Sequence, residues 1–307
     1  LYFDPYNSTA IRDTLQLLVT DETRRAHLKQ AGLERVKLFQ WPAVAEAFLN
    51  LLHPFQPFII GQKIIGPAMA AKFGVPLVMY GENQAEYGNR IEQNSNPTMD
   101  ESFFYSQEAS QTLLGGKPID YYTDQKNFSL NDFEPYLPML SDSSQKQEVH
   151  YLGYYLKWDP QECYYYAVEN TGFEANTQRT EGSYSKYSSI DDKVDPFHYF
   201  TTLIKFGIGR ATYDAAQEIR SGDINREEGV ALVKRFDHEF PERFAQEMFE
   251  YLSIKEDEHP VAVGMFEQPK MDREYFRLLT DTFRSPHLWK FDGNSWELRR
   301  SVWHDGC

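Results

Sequence analysis

Residues 76–89 read PLVMYGENQAEYGN. Leu77 to Tyr80 are apolar or aromatic, and they run directly into Gly81, Glu82 and Asn83, with Glu86 and Gly88 following. A glycine, a carboxylate and an amide at the end of an apolar strand are residue types that bind and orient polar substrates. In open parallel α/β sheets, ligands lie at the carboxyl ends of strands. A plain polar turn after a strand has the same composition, and position alone does not separate the two.

A second group of candidates lies in the middle of the chain. Residues 151–200, YLGYYLKWDPQECYYYAVENTGFEANTQRTEGSYSKYSSIDDKVDPFHYF, are dense in tyrosine. A tyrosine offers a flat apolar face and a hydroxyl, which suits a sugar or a base; an aromatic core or interface uses the same residue. Other chemistries find no support. The eight histidines, at positions 27, 53, 150, 198, 238, 259, 287 and 304, are scattered. No H-E-x-x-H spacing, G-x-S-x-G elbow or G-x-x-x-x-G-K-[ST] loop occurs. Gly207-Ile208-Gly209 resembles part of a dinucleotide fingerprint, but it lacks the third glycine and a preceding strand.

The elements that must position these residues follow from period and punctuation. Pro5 and Asn7 mark a turn, and Asn7 or Ser8 caps a first helix. Thr20 or Asp21 caps a second, and Trp41-Pro42 opens a third. FIIGQKIIGPAMAAKFG reads as a helix stopped by Gly74. VPLVMY then reads as a short strand buried on both faces. Helix, glycine, strand and polar loop is the order of an open parallel sheet. Residues 89–150 read as loops and short helices. Further on, Ala211 to Arg220 form a helix ended by Gly222, and Asn225 with Glu228 has capping-box form before a helix to Phe236. Residues 241–253 and 271–284 are helical, and Asp292-Gly293 turns a small hairpin.

The 307 residues suffice for one large or two small domains. No window approaches the about 18 apolar residues of a membrane span, and no secretory leader is visible. The two cysteines, Cys163 and Cys307, build neither a disulfide framework nor a zinc site, and they fit a reducing cytoplasm. The net charge of −15 argues against nucleic acid as partner. Residues 1–50 carry six basic and six acidic side chains, so the whole excess falls on the remainder. That shift points to two segments of different origin.

From Leu51 onward the chain resembles the N-acetyl sugar amidotransferases of lipopolysaccharide and O-antigen biosynthesis. The stretches that carry the resemblance are LLHPFQPFIIGQK, VPLVMYGENQAEYGN, YLGYYLKWDPQECYYYAVENTGF, SYSKYSSIDDKVDPFHYF, KFGIGRATYDAAQEIRSGDINREEGVALVKRFD and FRSPHLWKFDG, in order over residues 51–296. The resemblance implies the ATP-pyrophosphatase (adenine nucleotide alpha-hydrolase-like) superfamily. It implies ATP with Mg²⁺, and a nucleotide-activated sugar whose N-acetyl group becomes acetamidino. Ammonia would come from a glutaminase with a synthase-like companion subunit. A strand-end carboxylate would then hold Mg²⁺ or polarise the ammonia. Some relatives in the superfamily modify tRNA, which the acidic charge disfavours here.

The resemblance assigns Glu82 and Asn83 to catalysis. It assigns Gly81, Glu86, Arg179, Glu181, Tyr187, His198, Lys205 and Arg210 to substrate or nucleotide. Lys205 and Arg210 would bind a diphosphate or carboxylate; surface ion pairing is the alternative. The expected fold is α/β, a partial Rossmann-like open parallel sheet with a largely helical C-terminal extension. The expected domains are 1–50, 51–150 and 151–307. Two departures stand out. The family's Ser-Gly-Gly-x-Asp-Ser phosphate loop and its cysteine cluster are missing, so little turnover is expected of this chain alone. Residues 1–48 instead resemble the C-terminal tail of a two-domain (GT-B) glycosyltransferase. The alternatives are therefore a glycosyltransferase fragment, or a non-catalytic module that docks the ammonia-supplying subunits.

Overall fold

The structure is a computed structural model that describes residues 9, 12–13, 16–17, 20–27, 30, 50–81, 96–106, 112–125, 129–140, 147–253 and 270–304. The chain divides into two compact units, Leu1–Trp41 and Pro42–Cys307. In the first, residues 22–27 are helical. Asp21 caps them as expected, its carboxylate accepting the Arg24 N–H at 2.8 Å. The Pro5–Asn7 turn and most of the helix expected over AVAEAFLNLL after Trp41-Pro42 lie outside the described residues, as do Glu82, Asn83 and Glu86; of that helix, residues 50 and 51 are described and helical.

The second unit opens on helix α1 (Gln56–Phe73), which ends at Gly74 in a left-handed conformation. Strand β1 (Leu77–Tyr80) follows. Gly66 lets helix and strand approach: a Cβ there would lie 2.9 Å from the Tyr80 hydroxyl. That hydroxyl donates to the Gln62 carbonyl at 2.5 Å. Short pieces come next: β2 (Tyr105–Ser106), β3 (Leu113–Leu114), β4 (Lys117–Pro118), α2 (Ile119–Gln125), β5 (Met139–Leu140) and β6 (Glu148–Tyr151). β1 pairs in parallel with β6, and β2 with β5. β3 and β4 form an antiparallel hairpin.

This is a mixed α/β architecture with the expected helix–glycine–strand order. Among the described residues its parallel pairing stops at two strands per sheet. One expectation is corrected. β1 is not buried on both faces, for Leu77 and Met79 are 49% and 45% exposed. Val78 and Tyr80 pack on the cluster of Met99, Phe104, Tyr105, Val149 and Tyr151, while the opposite face, with Leu77 and Met79, is about half exposed.

Beyond the sheet the chain is mainly helical: α3 (Leu152–Tyr155), α4 (Pro160–Thr171), α5 (Asp195–Phe206), α6 (Arg210–Ser221), α7 (Arg226–Phe236), α8 (Ala245–Leu252) and α9 (Arg273–Thr282). The largest core gathers Leu52 with Phe197, Leu203 and Ile204 of α5, Met248 of α8, Phe276 of α9 and Trp289. Phe197 is wholly buried and meets Phe240, Phe249 and Phe276 edge to face. Burial of such a ring contributes about 1.5–3 kcal/mol. The local signals hold. Gly222 ends α6 in the left-handed region, and Asn225 and Glu228 exchange their capping bonds at 2.9 Å each. The hairpin β7 (Trp289–Phe291) to β8 (Trp296–Leu298) turns at Asp292-Gly293. No helix among the described residues is long and apolar enough to cross a membrane.

Candidate functional site

β1 delivers Gly81 at its carboxyl end, exposed and without close neighbours among the described residues. The packing described there does not demand a glycine. The carboxylate and amide that follow it lie outside the described residues, so the geometry of the site comes from the C-terminal helices.

Three sequence candidates converge on the loop before α5. Gly182 takes φ 83°, which a side chain disfavours, and its carbonyl accepts the Ala211 N–H at 3.0 Å. Arg179 forks onto Glu239 with two contacts of 2.5 Å, and the Gly182 N–H donates to the same carboxylate at 2.9 Å. Glu181 accepts the Arg243 N–H at 2.9 Å. Arg210, at the start of α6, lies between Asp195 at 3.0 Å and Asp214 at 2.9 Å, with its guanidinium 4.3 Å from the centre of the Tyr199 ring. The side chains of Arg210, Asp195 and Asp214 are only 12–16% exposed. Ser183 bonds Asp214 and Ser189 bonds Asp195, so the loop closes over the triad. Burial opposes the charge of Arg210, yet Asp214, Tyr199 and Asp195 together hold its pKa above the ordinary value. Arg179, Glu181 and Arg210 are thus bound within the chain, where they fix the shape of residues 179–189.

Gly207 and Gly209 are equally structural. Gly207 ends α5 at φ 76°, and Gly209 sits where a Cβ would be 2.8 Å from the Asp237 carboxylate. Asp237 accepts the N–H groups of Gly209 and Thr212 and the Thr212 hydroxyl, at 2.9, 3.0 and 2.9 Å. A carboxylate from a later helix end therefore caps α6, and no strand precedes the two glycines.

His198 and Lys205 face a different segment. Lys205 donates to the Leu51 carbonyl at 2.8 Å. His198 stacks on His53 with ring centres 5.1 Å apart and has Phe55 at 5.0 Å. The Nδ1 atoms of both imidazoles are buried without a hydrogen-bond partner among the described residues. Burial, then the neighbouring His53, Arg210 and Lys205, lowers the pKa of His198 to about 3. Burial and then Lys205 lower that of His53 to about 4. Both rings are neutral near pH 7, each with one donor and one acceptor nitrogen. His53 escaped the sequence reading, although it sits inside the stretch LLHPFQPFIIGQK; its partner is 145 positions away.

Tyr187 stacks on Tyr164 at 4.4 Å and 14°. Burial pushes its hydroxyl up to about 12, aided by Glu218, Asp214 and Asp223. Tyr184 donates to Glu218 at 2.8 Å. Glu218 is buried and takes the Tyr184 hydroxyl, and Asp214 is held by Arg210 and Ser183, so these carboxylates are bound within the chain. It is the exposed tyrosine rings that offer faces suited to the C–H side of a polyol. α4 buries none of its residues, and Tyr154, Tyr155, Trp158, Tyr165 and Tyr166 are exposed. Among the described residues no group of three or more His, Cys, Asp or Glu is placed to hold a metal ion.

Residues 181–302 match the family model described as LPS biosynthesis protein WbpG-like, C-terminal domain. The matched segment runs from the Arg210 loop through α5–α9 to the terminal hairpin, and it ties this part of the chain to lipopolysaccharide biosynthesis. No curated protein matches the chain.

Proposed function

We propose that the chain serves lipopolysaccharide biosynthesis as part of an N-acetyl sugar amidotransferase. The observation that carries this reading is the match of residues 181–302 to a domain of that biosynthesis. The exposed tyrosines of α4, beside the Tyr164–Tyr187 stack, support a sugar as the ligand. The reaction replaces the acetyl C=O of a nucleotide-activated sugar by C=NH, with ATP as co-substrate, Mg²⁺ as its counter-ion, and ammonia supplied by a glutaminase pair. An amide oxygen is a poor leaving group. It departs on AMP once ATP has been split to pyrophosphate, while the ammonia lone pair forms the new C–N bond. Water must be kept out, or the activated amide is hydrolysed. Glu82 and Asn83 are assigned to the reacting end, with Gly81 and Glu86 beside them, and Tyr187 to the sugar face. Arg179, Glu181 and Arg210 act by holding the neighbouring 179–189 loop in shape, and His198 and Lys205 by fixing the Leu51–Phe55 segment against α5. A partial Rossmann-like sheet is the proposed frame.

Calorimetry with an N-acetylated nucleotide sugar and its free-amine counterpart tests the reading. The acetylated sugar is expected to bind at least about tenfold tighter, with Tyr187→Ala removing most of the difference. Equal affinity for both would overturn it. Ammonium-dependent AMP release, read in parallel, is expected to be low for this chain. Transfer of the glycosyl group would instead identify a glycosyltransferase.

A second reading is favoured by one observation. The exposed tyrosines and Trp158 around α4 form the kind of aromatic surface that protein interfaces enrich. On that reading the chain docks the ammonia-supplying subunits without binding sugar. Retention of a glutaminase pair by the chain, lost in Tyr165→Ser/Tyr166→Ser, would establish it.

A further inference from the structure

Strand β6 consists of Glu148, Val149, His150 and Tyr151, and α3 follows at once and closes on Tyr155. A strand turns alternate side chains to one face. Glu148 and His150 therefore share a face with Leu77 and Met79, their register partners on β1. Val149 and Tyr151 take the buried face. The single turn of α3 then brings the Tyr155 ring to 5.9 Å from the imidazole of His150. The Tyr155 hydroxyl lies 2.6 Å from Nδ1 of that ring, and a Glu148 carboxylate oxygen lies 3.2 Å from Nε2. The His150 side chain is sheltered, at 19% exposure, while Tyr155 is 52% exposed.

The two contacts fix the direction of the proton. A carboxylate only accepts, so in the neutral ring Nε2 carries the hydrogen and Nδ1 is the acceptor. Tyr155 therefore donates to Nδ1. A hydroxyl held against an imidazole lone pair, with a carboxylate orienting the far side of the ring, is the arrangement that activates hydroxyl groups. Its place in the fold suits that task. β1 and β6 run parallel and their last pair is Tyr80–Tyr151, so α3 and Gly81 leave from the same end of the strands. That is the end at which parallel sheets receive ligands. We propose that Glu148, His150 and Tyr155 form a proton relay, with Tyr155 the catalytic base for a substrate whose attacking group is an amine or a hydroxyl. The substrate's lone pair forms the new bond, and the leaving group departs with the electrons of the old one. The substrate's proton passes to the Tyr155 oxygen, and the tyrosine's own proton passes to Nδ1. The imidazolium lies against the Glu148 carboxylate until it returns the proton to the leaving group or to water. His150 and Glu148 are positioning residues that act through Tyr155. The relay needs neither ATP nor a sugar, so it stands or falls apart from the amidotransferase reading.

Labelling with benzenesulfonyl fluoride reads the same proton transfer. The Tyr155 oxygen bonds to sulfur, fluoride leaves with the S–F electrons, and the phenol proton passes to His150. Peptide mass spectrometry is expected to show Tyr155 labelled at least about tenfold faster than Tyr165 and Tyr166, which are more exposed. His150→Ala is expected to remove that advantage and added imidazole to restore part of it, a response that a merely structural ring would not give. Glu148→Gln, on an exposed side chain, is expected to slow Tyr155 labelling about threefold, and it decides the matter should His150→Ala lose its folded circular dichroism. Tyr155 labelled no faster than Tyr165 and Tyr166 would overturn the proposal. So would an unchanged rate in the folded variant, or a folded His150→Ala that imidazole does not rescue.

Discussion

His53 and His198 stack face to face at 5.1 Å although 145 positions separate them, and both are held neutral by burial with Lys205 and Arg210 nearby. Each has a folded pKa below the unfolded value of 6.5. The unfolded chain therefore binds more protons in the window between. Stability is complete above about pH 6.5 and is lost as pH falls towards about 4 for His53 and about 3 for His198. The slope approaches about 1.4 kcal/mol per pH unit for each ring. Urea unfolding from pH 7.5 to 4.5 should show that decline, and His198→Phe should flatten it. An unchanged slope in His198→Phe would show that other groups govern the acid sensitivity.

Arg210→Met should cost about 3–5 kcal/mol, because it leaves Asp195 and Asp214 as buried carboxylates without their cation. The triple variant Arg210→Met, Asp195→Asn, Asp214→Asn should recover a large part of that loss. Denaturant midpoints of the two variants measure both effects. A mild loss in the single variant would mean the carboxylates find other partners.

Gly209→Ala should destabilise by about 1–3 kcal/mol, since its Cβ would meet both the carboxylate and the backbone of Asp237 within 2.9 Å. Gly207→Ala should also destabilise, through its left-handed φ of 76°. Only the first should disturb the Asp237 cap, so amide exchange protection at Thr212 should fall in Gly209→Ala alone.

Gly66→Ala separates two opposing effects on α1. Alanine in a helix interior favours folding by about 1 kcal/mol over glycine. Here its Cβ meets the Tyr80 hydroxyl, which the Gln62 carbonyl holds in place. The substitution should destabilise in the native background and become neutral or stabilising with Tyr80→Phe. Thermal unfolding of the four-member cycle gives the sign directly.

What the sequence by itself determined is local. Asp21, Gly74, Gly222, the Asn225–Glu228 box and the Asp292-Gly293 turn all act within a few residues, so type and spacing suffice to place them. The amphipathic helices from α6 to α9 were legible for the same reason, whereas α5 was not read from the tyrosine-dense stretch that holds its start. What only the tertiary structure decided is which polar groups meet and what each apolar face meets. Arg179 looked like a ligand-binding cation, and its partner Glu239 lies 60 positions on. Asp237 caps a helix 25 positions before it. His53 gained significance only once α5 brought His198 against it. β1 carried the composition of a buried strand, yet burial belongs to the surroundings, and one face, with Leu77 and Met79, is about half exposed. Pattern reports the backbone conformation a residue prefers. Charge pairing and burial depend on distances across the fold, which the linear spacing of residues does not contain.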